Sequence, residues 1–581
     1  MVGLTTTQSC RRIIIESHTQ TMEKPHCSTR GTDLLNIYQQ AFIDHFPLPA
    51  ISDFTTGKTL TYGELCRRIA RLHLFFDAAG LHTGDKIALL GKNTPTWICV
   101  FMASLTYGTT IVPILNDFNP ADAANIIRHS DARVLFVAES IWEHLDFNDF
   151  PQIEAVVSLD TRKILAERPG HLKGFVRNLT RQFNKIYPDG FSREDIIYNS
   201  RNDDDIAIIN YTSGTTGFSK GVMLTYDNLA GNVGFGIDSR LHFSGSRALS
   251  FLPLAHAYGC AFDMLVPLAV GSHITVLGKT PTPSLLTKAM AKVKPNLVIC
   301  VPLILEKIYR KMIVPMITKK QMRWILAVPM LDRAIYSRIR SKLVEAFGGQ
   351  FEEVIIGGAP LNPEVEQFLH LIKFPFTVGY GMTECGPLIS YTPWRHFIPG
   401  SAGHLLPGIM EGKILTENGE GEQGEIMVYG QNLMTGYYKN PDATESALEE
   451  DGWLHTGDMG HLGGSDGKTI FIRGRYKTMI LSANGQNIYP EEIEAKLNNM
   501  PFVAESLVID RGGHLVALVY PDSEELEQHK LNEKDISDVM EQNRQDLNKL
   551  VAPYEQVSAI ETVVEEFVKT PKRSIKRFLY K

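Results

Sequence analysis

Between Tyr211 and Gly221 the chain reads Tyr-Thr-Ser-Gly-Thr-Thr-Gly-Phe-Ser-Lys-Gly, with five hydroxyl residues, three glycines and one lysine in a single short stretch. Glycines at 214, 217 and 221 permit backbone conformations closed to other residues, so successive N–H groups can turn toward one anion. Thr212, Ser213, Thr215, Thr216 and Ser219 add hydroxyl donors, and Lys220 supplies a balancing positive charge. That is the chemistry of a phosphate loop. The spacing is not the Walker pattern, because two residues stand between Gly217 and Lys220 where that pattern has none. A plain surface turn is the competing reading, but turns rarely stack five hydroxyls on three glycines beside an apolar run such as Ile206-Ala-Ile-Ile-Asn210.

Such a loop needs a strand to deliver it, and the surrounding sequence reads as strands alternating with helices. Gly84 to Leu90, Ala132 to Ala138, Ala155 to Ser158 and Ile206 to Ile209 are short β-branched runs separated by longer helical or loop segments. This is the order of parallel sheets covered by helices. The apolar stretch from Thr96 to Leu115 is broken by Ser104, Gly108, Thr109, Thr110 and Pro113, so it reads as a buried helix and strand, with no transmembrane segment. Residues 160–205 read as a polar, irregular surface excursion. Near the C-terminus, Pro490 with its following glutamates opens a helix, Val503 to Tyr520 reads as two strands and Ile536 to Leu550 as a helix.

The chain of 581 residues exceeds what one hydrophobic core usually serves, so at least two domains are expected. A net charge of −7 with interspersed signs argues against nucleic acid as the main partner. Seven scattered cysteines, never spaced as CxxC, indicate neither a disulfide framework nor a zinc site, and a cytoplasmic location is expected. The segment 1–32 is expected to be a disordered extension, with Met22 as an alternative start.

Further along stand Gly357-Gly-Ala-Pro-Leu361, Val378-Gly-Tyr-Gly-Met-Thr-Glu-Cys-Gly386, Trp453-Leu-His-Thr-Gly-Asp458 and Ile470-Phe-Ile-Arg-Gly-Arg-Tyr-Lys477. With the phosphate loop, and in this order, they resemble the motifs of the adenylate-forming superfamily of acyl-CoA synthetases, luciferases and peptide-synthetase adenylation domains. The segment Leu305-Glu-Lys-Ile-Tyr-Arg310 is most similar to the long-chain fatty-acid:CoA ligases. By contrast, Gly419 to Gly424 satisfies GxGxxG formally, yet Glu420 and Glu422 stand where a phosphate would sit, and it reads as a hairpin turn.

The resemblance implies a site. Thr212, Ser213, Gly214, Thr215, Thr216, Gly217 and Lys220 would hold the ATP phosphates. Gly357, Gly358 and Ala359 would let the adenine lie on the backbone, with Tyr380 stacking on it and Gly381 beside it. Thr383 would bond the α-phosphate, and Glu384, with Thr212 near, would ligate Mg²⁺. Asp458 would accept the ribose hydroxyls and Arg475 would reach the ribose. His256 would position the acid. Lys477 holds the hinge position, and Lys576 is the catalytic tail lysine, with Lys572 as the alternative. The tail departs from the family's form, since Ile575 replaces the glycine before the lysine and the spacing from Pro571 is one residue shorter.

The implied fold is α/β, with a large N-terminal domain (33–476) of two helix-covered, mostly parallel sheets plus a small distorted β-barrel. A small mobile C-terminal α/β domain (477–581) follows. The implied substrates are a fatty acid, ATP and coenzyme A, with peripheral membrane contact open and transfer to a carrier protein or use of an aryl acid as alternatives. The apolar, Met-rich stretch up to Phe347 reads equally as the wall of an acyl tunnel or as plain helix packing.

Overall fold

The computed structural model describes residues 33–212, 219–317, 331–416, 419–481, 487–529, 531–570 and 574–580. Helix α1 (Leu34–Asp44) and strands β1 (Pro49–Asp53) and β2 (Thr59–Thr61) lead to α2 (Tyr62–Ala78), which starts at a reciprocal capping box of Thr61 and Glu64. Strand and helix then alternate through β3 (Lys86–Leu90), α3 (Pro95–Tyr107), β4 (Thr110–Ile114), α4 (Pro120–His129), β5 (Ala132–Val137) and β6 (Ala155–Ser158). Pro95 and Pro120 stand at helix starts, where the missing N–H costs nothing.

The region expected to be irregular is built otherwise. It contains β7 (Ile164–Glu167) and the fifteen-residue helix α5 (Leu172–Ile186). Leu172, Phe175, Val176, Leu179 and Phe183 recur at helical spacing but form a narrow stripe outnumbered by polar residues, which hides the periodicity in the composition. The Glu167 carboxylate accepts the N–H of Leu172 at 2.7 Å and so starts the helix.

β8 (Ile206–Thr212) and β9 (Lys220–Thr225) precede α6 (Tyr226–Asp238). With β21 (Gly436–Tyr437) they complete an eight-stranded sheet of order β21-β9-β8-β4-β3-β5-β6-β7, parallel from β8 to β6 with antiparallel edges. Its central strands are apolar without alternation because both faces are covered. A second sheet joins β10 (Arg247–Ser250), β11 (His273–Val276), β1 and β2, and only β2 is antiparallel. Between β10 and β11 lies the short helix α7 (Ala257–Cys260). Three further parallel strands, β12 (Val298–Cys300), β13 (Val354–Ile356) and β14 (Phe376–Val378), are linked through α8 (Pro302–Ile308) and α9 (Leu331–Ala346), then α10 (Pro363–Leu371).

An eight-stranded sheet follows where the small barrel is expected. It runs β15 (Tyr380–Gly381), β16 (Leu388–Tyr391), β17 (His404–Leu405), β23 (Thr469–Arg475), β22 (Leu454–Gly463), β20 (Gly424–Gly430), β18 (Met410–Thr416) and β19 (Gly419–Glu420). All its pairings are antiparallel, and among the described residues none joins β15 to β19. Thr416 faces Gly419 there, as the hairpin reading of the glycine-rich segment expects.

After the short pair β24 (Ile480–Leu481) and β25 (Asn487–Ile488) come α11 (Pro490–Leu497), β26 (Val503–Asp510), β27 (Leu515–Pro521), α12 (Glu533–Leu550) and β28 (Val557–Thr562). Both faces of the β26-β27-β28 sheet are used. Val508, Leu515, Ala517 and Val519 join the core under α11 and α12, while Leu507, Ile509, Val516 and Leu518 are covered by Phe567, Ile575 and Tyr580 of the tail. Two core clusters take their buried residues from between Leu34 and Ile470, and two from between Ile488 and Phe567.

Candidate active site

Lys220 opens β9 and faces Thr212 across the β8–β9 ladder, so the two ends of the glycine- and hydroxyl-rich segment are held side by side. Ser213, Gly214, Thr215, Thr216 and Gly217 lie outside the described residues. Gly221 is required by packing: a Cβ there would stand 2.9 Å from Ile209 Cγ2 and 3.1 Å from the Tyr211 ring. On the other side of β9, β21 places Tyr437 opposite Val222. The Lys220 ammonium then lies 4.5 Å from the centre of the Tyr437 ring, and the Tyr437 hydroxyl donates to Glu384 Oε1 at 2.9 Å. Burial, with the Glu384 charge second, holds that hydroxyl far above the usual tyrosine range.

Glu384 belongs to a single 3₁₀ turn, Thr383–Cys385, between β15 and β16. Buried Asn232 of α6 grips the turn, donating to the Cys385 carbonyl at 3.2 Å and accepting from Leu388 N at 3.0 Å. Met434 N bonds the Glu384 carbonyl at 2.8 Å, which ties the turn to the segment entering β21. Thr383 is buried and Glu384 half-buried. Thus Lys220 and Glu384, from motifs more than 150 positions apart, meet on one tyrosine.

A second group forms beside it. Asp458 and Arg475 are register partners in β22 and β23, with Arg475 Nε 2.9 Å from Asp458 Oδ1. The Tyr380 hydroxyl donates to Asp458 Oδ2 at 2.6 Å. Each carboxylate oxygen keeps a further lone pair for another donor. Burial raises the Asp458 carboxyl, opposed by Arg475 and Tyr380, and the Glu384 charge is felt at both Asp458 and Arg475. The expected role of Tyr380 was ring stacking; its hydroxyl is committed to the carboxylate as well.

Gly357, Gly358 and Ala359 leave β13 beside β14, whose continuation delivers Tyr380, so the two motifs exit neighbouring parallel strands at the same end. Gly357 touches the Tyr258 ring, where a Cβ would lie 3.1 Å from Cζ; Gly358 has φ +85°, and Gly358 and Ala359 are exposed. A Cβ on Gly381 would stand 2.2 Å from the Pro387 carbonyl oxygen, so that turn closes only with glycine.

His256 caps α7, its Nδ1 accepting from Tyr258 N at 3.2 Å. Tyr258 in turn donates to the Ile355 carbonyl at 3.0 Å, and Asn210 of β8 donates to the Ala255 carbonyl at 3.2 Å. The His256 segment is therefore tied to both β8 and β13.

Lys576 ends a small hairpin clamped onto the last sheet. Lys569 bridges Ile575, Thr570 N bonds the Ser574 carbonyl at 2.8 Å and Lys576 N bonds the Val568 carbonyl at 2.8 Å. Arg577 pairs with Glu494 and lies 3.5 Å from Glu491, while Lys569 pairs with Glu505 at 2.6 Å. Lys576 lines a cavity of about 570 Å³ that is also lined by Ser250, Phe251, Pro253 and Ala255, the segment immediately ahead of His256. Lys572 lies outside the described residues. Lys477 is exposed on the 3₁₀ turn Tyr476–Thr478, next to Thr478, which donates to Glu491 at 2.7 Å.

Tyr437, Tyr258, Asn232 and the Glu494–Arg577 pair were not among the sequence candidates. The available hint for the first was the tyrosine pair at 437 and 438, bounded by Gly436 and Pro441. In the stretch that reads as a tunnel wall or as helix packing, Leu305, Tyr309, Ile313, Ile339, Leu343 and Phe347 are buried in the main core; residues 318–330 lie outside the described residues.

Residues 41–438 match the family of AMP-binding enzymes. The peroxisomal long chain acyl-CoA synthetase 6 of Arabidopsis thaliana is 30% identical over 512 residues, spanning 82% of this chain and 70% of that protein. A feruloyl-CoA synthase of an Amycolatopsis species is 31% identical over 462 residues, spanning 78% and 81%. The crystal structure of ATP-bound MatB from Rhodopseudomonas palustris shares the fold with a TM-score of 0.72 at 23% identity, covering 94% of this chain and 98% of that one.

Proposed function

The chain belongs to the AMP-binding enzyme family as an adenylate-forming acid:CoA ligase, and we propose that it activates a long-chain fatty acid. The acid would react with ATP to give acyl-adenylate and pyrophosphate, and the adenylate with coenzyme A to give acyl-CoA and AMP. The observation that carries the reading is the meeting of Lys220 and Glu384 on Tyr437, beside the Asp458, Tyr380 and Arg475 group. A carboxylate attacking a triphosphate brings two anions together, and fixed positive charge at the loop lowers the cost. In this reading Lys220 and the loop hydroxyls hold the phosphates, Asp458 and Arg475 hold the ribose, and the Gly357–Ala359 backbone and Tyr380 receive the adenine. His256 orients the acid.

Glu384 suits Mg²⁺: the ion is commonly held by one or two carboxylates plus substrate phosphates, and a half-buried glutamate with a second oxygen left over from its tyrosine bond is such a donor. When bound, Mg²⁺ would neutralise phosphate charge, with Glu384 as ligand and the Thr212 hydroxyl near it.

Lys576 would reach the carboxylate during adenylation and leave for the second half-reaction by rotation about Lys477. The separation of the buried clusters, up to Ile470 and from Ile488 onward, supports a division into 33–476 and 477–581.

Long-chain preference is supported by the likeness to the Arabidopsis synthetase, while the likeness to the feruloyl-CoA synthase favours an aryl acid as the second reading. Pyrophosphate release against acetate through oleate, with benzoate and ferulate alongside, separates them. An apolar site should gain about 0.8 kcal/mol, roughly fourfold, for each buried CH₂ until it ends. Specificity constants that peak at ferulate would transfer the proposal to the aryl acid, and thioester formation on a carrier protein but not on CoA would change the acceptor.

A further inference from the structure

Residues 162–185 hold seven lysines and arginines against one glutamate, a net of +6, while the remaining chain carries −13 to make the total of −7. Most of this charge is organised by α5. Lys173, Arg177, Arg181 and Lys185 recur every fourth residue, and all four are exposed. On a helix of 3.6 residues per turn this spacing drifts about 40° per step, so the four cations form one oblique row roughly 18 Å long.

Gly174, Asn178, Thr180 and Asn184 fill the exposed surface between them, and the helix contains no acidic residue. Among the described residues, none of the four cationic side chains has an ion-pair or hydrogen-bond partner. Like charges four residues apart repel, and an exposed helix ordinarily alternates its signs. The opposite face of α5 is secured: Leu172 and Phe183 are buried against α2 and β7, and Arg71 of α2 lies 4.8 Å from the Phe183 ring. Arg67 of α2 and Arg162 and Lys163 beside β7 are exposed and extend the same field.

We propose that this cationic face of α5 docks the enzyme onto anionic lipid headgroups at a membrane surface. The charge is complementary, the row is long and open, and exposed Ile186 with half-buried Val176 and Leu179 supplies apolar margin at its edges. The placement favours a lipid surface over an acidic carrier protein. α5 packs at β7, six strand spacings from β9, which is about 29 Å from the strand carrying Lys220. A carrier must deliver its thiol to the reacting carbonyl, whereas an anchoring surface only has to leave the opposite edge free. This inference does not depend on the acid being long.

The test is flotation of the full chain with vesicles of phosphatidylcholine alone or mixed with phosphatidylglycerol, at low and high salt. Wild type should bind only the mixed vesicles and release as salt rises. Replacing Lys173, Arg177, Arg181 and Lys185 together by Gln should weaken binding by about fivefold per cation. Replacing the exposed Lys58, Lys288, Lys373 and Lys468 by Gln should leave it unchanged. Thermal melts and pyrophosphate release with a water-soluble acid should match wild type; if the fourfold variant melts early, Arg177→Gln with Arg181→Gln replaces it. Wild type that ignores anionic vesicles, or two fourfold variants that bind alike, overturns the proposal. So does a variant that keeps its vesicle binding but loses transfer to an acidic carrier protein, which would make the face a protein-docking surface.

Discussion

The Lys220–Tyr437–Glu384 group and the Lys576 tail hold their charged residues in opposite ways. In the first, strand register and a gripped turn do the placing: Thr212 against Lys220, Val222 against Tyr437, and Asn232 on both sides of the Glu384 turn. In the second, a short hairpin covers one sheet face through Phe567, Ile575 and Tyr580 and is pinned by Arg577 to Glu494 and by Lys569 to Glu505. Backbone ladders are indifferent to pH near neutrality, whereas a clamp of ionisable groups is not. In the proposed cycle the first construction suits residues that stay with the phosphates, and the second suits one that arrives and leaves.

Glu384→Ala should retain the fold and lower pyrophosphate release by roughly 10²–10³, the effect of removing one charge-stabilising group of about 2.7–4 kcal/mol. Near-wild-type turnover in a folded variant would remove Glu384 from the chemistry. Lys576→Ala should cost about 10² or more in adenylation while largely sparing thioester formation from supplied acyl-adenylate, because in the proposed cycle the tail acts in only one half-reaction. Lys572→Ala, assayed beside it, should affect neither; if their effects are reversed, the tail lysine is Lys572.

A smaller loss is expected at Tyr437. Tyr437→Phe keeps the ring under Lys220 and removes only the hydroxyl bonded to a carboxylate, a change of about 1.5–3 kcal/mol, or roughly 10- to 100-fold in kcat. If Tyr437 positions Glu384, raising Mg²⁺ should recover part of that loss, and Tyr437→Leu should also raise the KM for ATP by loosening Lys220. Equal kinetics for the Phe and Leu variants, with unchanged Mg²⁺ dependence, would make the tyrosine ordinary packing.

The smallest effect concerns stability. Burial raises Glu494 to about 7, with the Arg577 charge opposing and Glu491 adding to the rise. A carboxyl whose folded value lies above its unfolded one favours folding most at low pH, and that stability is lost as pH rises from about 4.5 to about 7. The span corresponds to roughly 3 kcal/mol at most. Melting of wild type should therefore fall with pH across this window relative to Glu494→Gln, in which the slope disappears. Parallel pH profiles would show that Glu494 does not titrate there.

The residues that speak through local pattern were legible. The strand that leads into the glycine- and hydroxyl-rich stretch, the helix opening at Pro490 and the two strands from Val503 follow from backbone preferences and short-range periodicity. α5 was not legible, because its narrow apolar stripe left the segment looking irregular. What only the tertiary structure decided is which distant residues share a site. Tyr437 reaches Glu384 across 53 positions and lies on the ring side of Lys220 because a two-residue strand adds to the edge of β9. Arg577 meets Glu494 across 83 positions because the tail folds back over a sheet face. Pairings of that range depend on how complete sheets and cores assemble, and neither the spacing of residues along the chain nor their local preferences carries that information.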